Sequence, residues 1–300
     1  MIEYERITGE NISALTPYFE TFACGICDNT IGAVYQWRDI YESYFAIVEG
    51  MLCIRANYGA YGECYTVPLG AGDFTAACRA NEADAKRNGI PLRYCVVPDC
   101  QIPLLKLHYC DRMQAESIRD WADYIYEADA FLHYAGKPYH TQKNHVNRFY
   151  REHPDAPLLP VTDRAGEQLC LAFLDRFHAQ HTEFSALEEN EWVGAKDLLL
   201  HRNLLGQTAA CLVTGGEAVA MAIGERKDDM LFVHVEKALP DVSGAYPAMA
   251  QAFVRCFGNV RYVNREDDGG DPGLRYSKTN YRPIELREKY LVTVSDESSL

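Results

Sequence analysis

The stretch that decides the fold is Thr208–Ala238, TAACLVTGGEAVAMAIGERKDDMLFVHVEKA. Three apolar runs of strand length are separated by Gly215-Gly216 and by Lys227-Asp228-Asp229. Paired glycines accept the positive φ angles of a tight hairpin, and the polar triplet closes the next run. The segment therefore reads as three consecutive antiparallel strands. Two helical patterns precede it, GEQLCLAFLDRFHAQH from Gly166 and ENEWVGAKDLLLHRNLLG from Glu189. After it come a helix from Ser243 (SGAYPAMAQAFVRCFG), a strand from Asn259 (NVRYVN), a short helix from Pro272 (PGLRYSKTNY) and a last strand from Ile284 (IELREKYLVTV).

The upstream half is also mixed. MLCIRANY from Met51 and ECYTVPLG from Glu63 read as strands joined by a turn over Gly59 to Gly62. The segment after Gly72 reads as a helix, with Asp73 as N-cap and Gly89 as its stop, followed by the strand IPLRYCVVP. A helix is expected from about His140 to Glu152, ended by Pro154. The prolines of REHPDAPLLP mark a linker, so the expected domains are 1–155 and 156–300, and the tail SDESSL is expected to be loose.

Composition limits the function. The chain has 300 residues, 48% of them hydrophobic, enough for a packed core. No apolar run reaches membrane-spanning length and no leader pattern follows Met1, so a cytoplasmic protein without an integral membrane segment is expected. Eleven scattered cysteines, including the lone Cys24-Gly25-Ile26-Cys27, read as buried reduced thiols. A net charge of −14 argues against broad nucleic-acid binding. Two basic islands stand out against it. From Ala130 to Arg151 there is no acidic residue, while Lys137, Lys143, Arg148 and Arg151 fall in that window. The second island is Arg275, Lys278, Arg282, Arg287 and Lys289. Such islands suit a localised phosphate-bearing ligand, or are two solvated helix faces.

The order of two helices, a three-strand meander, a helix, a strand, a helix and a strand looks like the GNAT acyltransferase fold. The class expected is α/β (α+β), with two GNAT-like domains, each a mixed, mostly antiparallel sheet flanked by helices, the first a degenerate copy. GLRYSKTNYRPIELREKY has the layout G-L-x-x-x-K-x-x-Y-x-P with a basic-Tyr ending. It resembles the end of the soluble C-terminal domain of lysyl-phosphatidylglycerol synthases and that of the peptidoglycan-bridge aminoacyltransferases. GKPYHTQKNHVNRF is similar to the basic segment of the same synthase domain, with Asn147-Arg148 in the matching place, and HVEKALPDVSGAYPAMAQAF to its strand-loop-helix. The likeness runs from about Asp123 to Tyr290 and points to a bacterial branch of that superfamily. A counterpart of the synthases' membrane portion is not expected here, and where their strand bears an acidic-then-basic pair this sequence has His234, Glu236 and Lys237, in a register left open.

The resemblance implies an acyltransferase that uses an aminoacyl-tRNA or another phosphate-bearing activated donor, with its site in the cleft between the domains. Acyl transfer needs a proton acceptor, a stabiliser for the oxyanion and a held donor. Lys278 matches the lysine that stabilises negative charge in the relatives; otherwise it is a surface lysine. Glu266 or Asp267, at the end of a strand, would take the nucleophile's proton, or they form a solvated acidic turn. His234 with Glu236 would be a base and its orienter, or a satisfied buried pair. Lys143, Asn147, Arg148, Arg265, Arg275 and Tyr281 complete the ligand-binding candidates, with Arg275 alternatively a partner of the carboxylates. His178 and His181 near Glu183 have a metal-compatible spacing but no third firm ligand, so no metal is assigned. Acetyl-CoA is the alternative cofactor, but the glycine-rich pyrophosphate loop is missing: LPDVSGAYPAM keeps one glycine, and Pro247 removes an amide donor. The alternative functions are a CoA-dependent GNAT N-acyltransferase and a non-catalytic protein that binds a phosphorylated ligand or a partner.

Overall fold

The computed structural model describes residues 2–20, 24–180 and 185–295. Among these, the first seven strands are β1 (Glu5–Arg6), β2 (Tyr44–Val48), β3 (Met51–Asn57), β4 (Glu63–Tyr65), β5 (Leu69–Gly70), β6 (Arg93–Pro98) and β7 (Met113–Ser117). The next seven are β8 (Asp123–Glu127), β9 (Leu158–Pro160), β10 (Thr208–Thr214), β11 (Glu217–Lys227), β12 (Met230–Ala238), β13 (Tyr262–Asn264) and β14 (Glu285–Arg287), and β15 (Lys289–Val294) is last. They form two mixed sheets flanked by helices, as expected. One sheet runs β1-β2-β3-β4-β6-β15-β7, with β5 on β3, and the other β14-β8-β13-β12-β11-β10-β9. β4 pairs parallel with β6 and β12 parallel with β13, whereas the meander strands β10, β11 and β12 pair antiparallel.

The chain divides into two compact units, but not at a single boundary near residue 155. The first unit is Met1–Asp123, Asp267–Asp271 and Leu286–Leu300; the second is Tyr124–Glu266 and Pro272–Glu285. Strand pairing explains the difference. β8, from the upstream half, pairs antiparallel with β13 in the sheet of the meander. The expected last strand is two strands. β14 joins that same sheet, and β15 pairs with β6 and β7 in the other.

Within the first unit, β3, β4, β6, β15 and the helix Ile102–Tyr109 supply buried side chains that include Cys53, Tyr65, Tyr94, Val97, Leu105 and Val292. The helix Phe74–Asn88 starts where Asp73 accepts the amide of Ala76 and ends at Gly89 in the left-handed region. Cys24 and Cys100 are joined by a disulfide, which corrects the reading of all eleven cysteines as reduced. Seven of the other nine, Cys27 among them, are buried free thiols.

Within the second unit the meander turns where the sequence placed its breaks, at Gly215-Gly216 and at Asp228, all with positive φ. The strands β10 to β12 carry a dense apolar core of alanines, Leu212, Met221, Ile223, Leu231 and Phe232. β11 and β12 lose register between Ile223 and Gly224, where Val235 faces Ile223 and Val233 faces Gly224. His234 is thus the extra residue of a β-bulge, a device that re-aims a side chain. Gly224 makes room for it, because an added Cβ would overlap the carbonyl oxygen of Phe232. Helix His140–Glu152 crosses the start of helix Ala245–Cys256 at Gly244. There φ is +79° and a Cβ would overlap the carbonyl oxygen of His145, so the single glycine of LPDVSGAYPAM is a packing requirement.

Candidate functional site

β12 and β13 run parallel, with Phe232 opposite Asn264 as their last pair. Beyond it β12 continues through His234 and Glu236 while the chain leaves β13 at Arg265 and Glu266. The crevice beyond the carboxyl ends of parallel strands is where open α/β sheets place ligands. Arg265 donates from Nη2 to Glu236 at 2.7 Å, and both side chains are nearly buried. Its guanidinium carbon lies 4.7 Å from the ring centre of Tyr281 and 5.7 Å from that of Phe131, two rings that stack on each other. Arg265 Nη1 has no acceptor among the described residues.

Lys278 joins this group. It sits in the last turn of helix Pro272–Asn280, 8% exposed, and its Nζ donates to the carbonyl of Arg265 at 2.7 Å. The Tyr126 hydroxyl donates to the carbonyl of Lys278 at 2.8 Å, pinning the helix end to β8. A buried, seated ammonium is not the surface lysine of the alternative reading. Burial pushes the Glu236 carboxyl above its usual range, against the pull of Arg265 and Lys278. All these residues belong to the second unit.

His234 and Glu236 do not pair with each other. His234 Nδ1 lies 2.7 Å from Glu266 and Nε2 lies 3.0 Å from Glu225, and the imidazole has no solvent exposure. Burial opposes charge on the ring, but the two carboxylates outweigh it and push the pKa up to about 9. An imidazolium holding both protons between carboxylates has no lone pair with which to act as a base. The satisfied buried arrangement is the one present, with Glu266 as partner in place of Glu236. Glu266 is also fixed by its backbone, with φ +61° and its N–H on Asn264 Oδ1.

This histidine links stability to pH. Its folded pKa is raised above the ordinary 6.5. Its contribution is therefore complete below pH 6.5 and lost as pH climbs through about 9, and the shift corresponds to about 3 kcal/mol. Urea unfolding of the protein should weaken across that window. Unfolding of His234→Gln should be flatter; an equal slope in both would refute the assignment.

Asp267 is placed elsewhere. It belongs to the first unit, where its Oδ2 is 3.4 Å from Lys289 Nζ. Lys289 is fully buried, 2.7 Å from Asp123, paired with Asp28 and 3.2 Å from the Cys27 sulfur. Cys27, Asp123 and Asp267 would by themselves suit a cation. The ammonium of Lys289 stands within reach of all three, so the chain supplies its own positive charge there.

Within the second unit one contact joins the helices that carry the two basic islands, while Arg287 and Lys289 of the second island belong to the first unit. Gln142 Nε2, on helix His140–Glu152, donates to the carbonyl of Asn280 at the end of the Lys278 helix, at 3.1 Å. Lys143, Asn147 and Arg148 are exposed on that basic helix, and Arg148 pairs with Glu152 at 2.8 Å. Arg275 is half-buried on the Lys278 helix. Of the metal-compatible trio, His181 and Glu183 lie outside the described residues; His178 bonds Glu189 at 2.8 Å and stacks on Trp192. At the start of helix Ala245–Cys256 the amide of Ala245 is turned to the carbonyl of Val242.

Sequence reasoning named Glu236 only as an orienter and passed over Tyr126 and Glu225. The signal for Glu236 was the acidic-then-basic pair of the synthases. In the structure Glu236 faces Arg265, and Lys237 pairs with Glu191 at 2.7 Å.

No described helix is long and apolar enough to cross a membrane. No curated protein matches the chain significantly. Among solved structures, a conserved protein of unknown function from Bacteroides thetaiotaomicron is 28% identical, with a TM-score of 0.85 over 98% of this chain and 100% of that one. The C-terminal domain of a putative lysylphosphatidylglycerol synthetase from Agrobacterium fabrum is 14% identical, with a TM-score of 0.66 over 97% of this chain and 94% of that one. L-PGS from Bacillus licheniformis is 15% identical, with a TM-score of 0.66 over 98% and 95%. The last two likenesses bear on the fold. The sequence itself matches the family described as phosphatidylglycerol lysyltransferase, C-terminal, over residues 19–293, well upstream of the segments that first suggested it. With the site segments and nearly the whole chain included in that match, the protein belongs to the phosphatidylglycerol lysyltransferase C-terminal family.

Proposed function

We propose that this chain is an acyltransferase that moves an aminoacyl group from an aminoacyl-tRNA, or a similar activated donor, to an amine or hydroxyl acceptor. The observation that carries the reading is the seating of Lys278 on the Arg265 carbonyl, beside the Glu236–Arg265 pair. Three segments, at Glu236, Arg265 and Lys278, bring a buried carboxylate and two cations to the carboxyl end of parallel strands. Glu236 is the proton acceptor for the nucleophile, a role suited to a carboxyl whose pKa burial has raised. The nucleophile attacks the ester carbonyl carbon. The oxygen takes up the electron pair and is stabilised by the positive charge of Lys278. Collapse of the intermediate expels the donor's ribose hydroxyl, which takes back the proton. Lys143 and Arg148, on the basic helix, hold donor phosphates.

Glu266 and Asp267, the other carboxylates considered for the base, are committed to His234 and Lys289. The CoA-dependent alternative has less support, because the amide of Ala245 is used internally and Pro247 has none to give.

The test is a titration of the protein with charged tRNA, uncharged tRNA and acetyl-CoA at low salt. Charged tRNA is expected to bind best. Lys278→Ala should weaken it about 10- to 100-fold, the worth of a charge-assisted hydrogen bond, and Lys143→Ala should reduce the salt dependence. Equal affinity for charged and uncharged tRNA, or tighter binding of acetyl-CoA, would overturn the proposal. Binding without any acyl product would favour a non-catalytic protein.

A further inference from the structure

His234 lies outside the reacting group, yet it is bolted to it. The chain from Asn264 to Glu266 supplies the guanidinium that meets Glu236 and the carbonyl that seats Lys278. Its backbone is held by two bonds to β8, the amide of Arg265 to the Tyr124 carbonyl and the amide of Tyr124 to the Glu266 carbonyl, each 3.1 Å. Besides Arg265 on Glu236, the segment is anchored to the meander by the Glu266 side chain, which lies 2.7 Å from His234 Nδ1. From the other ring nitrogen the tie continues to Glu225 on β11, which also accepts from Gln207 at 3.0 Å. The bulge at His234, made possible by Gly224, aims the ring at this segment. Glu266 occupies the left-handed region, a conformation that persists only when its surroundings enforce it.

We infer that His234 is a positioning residue of the acyl-transfer site: carrying both ring protons, it clamps Glu266 to Glu225 and so holds Arg265 and its carbonyl in register with Glu236 and Lys278. This inference rests on the function proposed above. The charged groups that face the ring are Glu225 on β11, itself close to Lys227, and Glu266 after β13; the helix Ala245–Cys256 brings the apolar Phe253 against Gly224. Loss of the ring proton leaves one nitrogen facing a carboxylate without a hydrogen between them, and the clamp opens. The site should therefore loosen on the alkaline side, as pH rises through about 9.

Two readouts on the full chain test this. In the first, amide exchange at Arg265 and Glu266 is followed from pH 7 to 10, corrected for intrinsic exchange. Protection should fall in the wild type as His234 deprotonates, and be low throughout in His234→Gln. Glu266→Gln is a second variant in case the first does not fold, and should shift the fall to lower pH. In the second, transfer from charged tRNA is measured over the same range. His234→Gln should lower kcat by roughly 100-fold, the cost of a misplaced reacting group, with KM for the donor little changed and the alkaline limb gone. Unchanged protection in the variants, or a wild-type fall that does not follow the His234 ring titration seen by nitrogen NMR, overturns the clamp. If the exchange results hold but no tRNA supports transfer by the wild type, the clamp stands and the acyl-transfer reading falls.

Discussion

Lys289→Met will lower stability by about 3–5 kcal/mol, the range for removing one member of a buried charge group. Lys289 has no exposed surface, and neither does the side chain of Asp123, 2.7 Å away. Methionine nearly matches the lysine stem in volume, so the loss is electrostatic and leaves little cavity. Asp123 would then be a buried carboxylate with its nearest positive charge gone, and Asp28 and Asp267 would lose the same partner. Burial works against the ammonium, but Asp123, Asp28, Cys27 and Asp267 hold its pKa well above the usual value. A raised lysine pKa gives stability that is complete below the unfolded value of about 10.4. The deficit of Lys289→Met should therefore be the same at pH 7 and pH 9, unlike the His234 contribution, which fades between them. Urea unfolding at the two pH values checks both. Asp123→Asn should recover part of the loss when combined with Lys289→Met, since it removes the stranded charge. A deficit below about 1 kcal/mol would mean that water reaches the group and that it behaves as a surface pair.

Lys289 and Lys278 show what the sequence could and could not convey. Both lie in one basic run, eleven positions apart, flanked by tyrosines. Nothing local separates them. Lys278 was singled out because it matched a family motif, and it does reach the group at Arg265 and Glu236. Lys289 passed as one more basic residue, because its three carboxylates come from positions 28, 123 and 267. The elements that were legible have local causes. Asp73 caps its helix, Gly89 ends it, and Gly215-Gly216 turns the meander. Strand partners have no such signal. β8 looks like any short strand in sequence, and only its pairing with β13 puts Tyr124 and Tyr126 beside the site. The break between β14 and β15 falls at Glu288, inside the charged triplet Arg287-Glu288-Lys289 and with no glycine, proline or asparagine to mark a turn, so one strand was expected where two sheets each take a share. The bulge did leave a trace, a glycine inside an apolar strand at Gly224. The period of two had already paired His234 with Glu236, and the extra residue of the bulge undid that inference.

On the proposed function, Glu236→Gln will reduce kcat for aminoacyl transfer by about 10²- to 10⁴-fold, the range for loss of a positioned general base. The amide keeps an oxygen for Arg265 Nη2, so the 2.7 Å contact survives in shape and the fold should persist. It cannot take a proton. Donor binding should change little, because Lys278 and the basic helix are untouched, and the loss should appear in kcat at nearly constant KM. The pH profile adds a second check. Burial holds the Glu236 carboxyl above the ordinary carboxylate range, against Arg265 and Lys278. A base must be ionised to act, so wild-type kcat/KM should rise with pH through that raised pKa. In Glu236→Gln the acidic limb should vanish while the alkaline limb set by His234 remains. If the variant keeps more than a tenth of wild-type kcat with its acidic limb intact, another group accepts the proton and the assignment of Glu236 fails. Glu266 would not be the replacement, since its carboxylate is held by His234 and its own backbone is fixed at a positive φ.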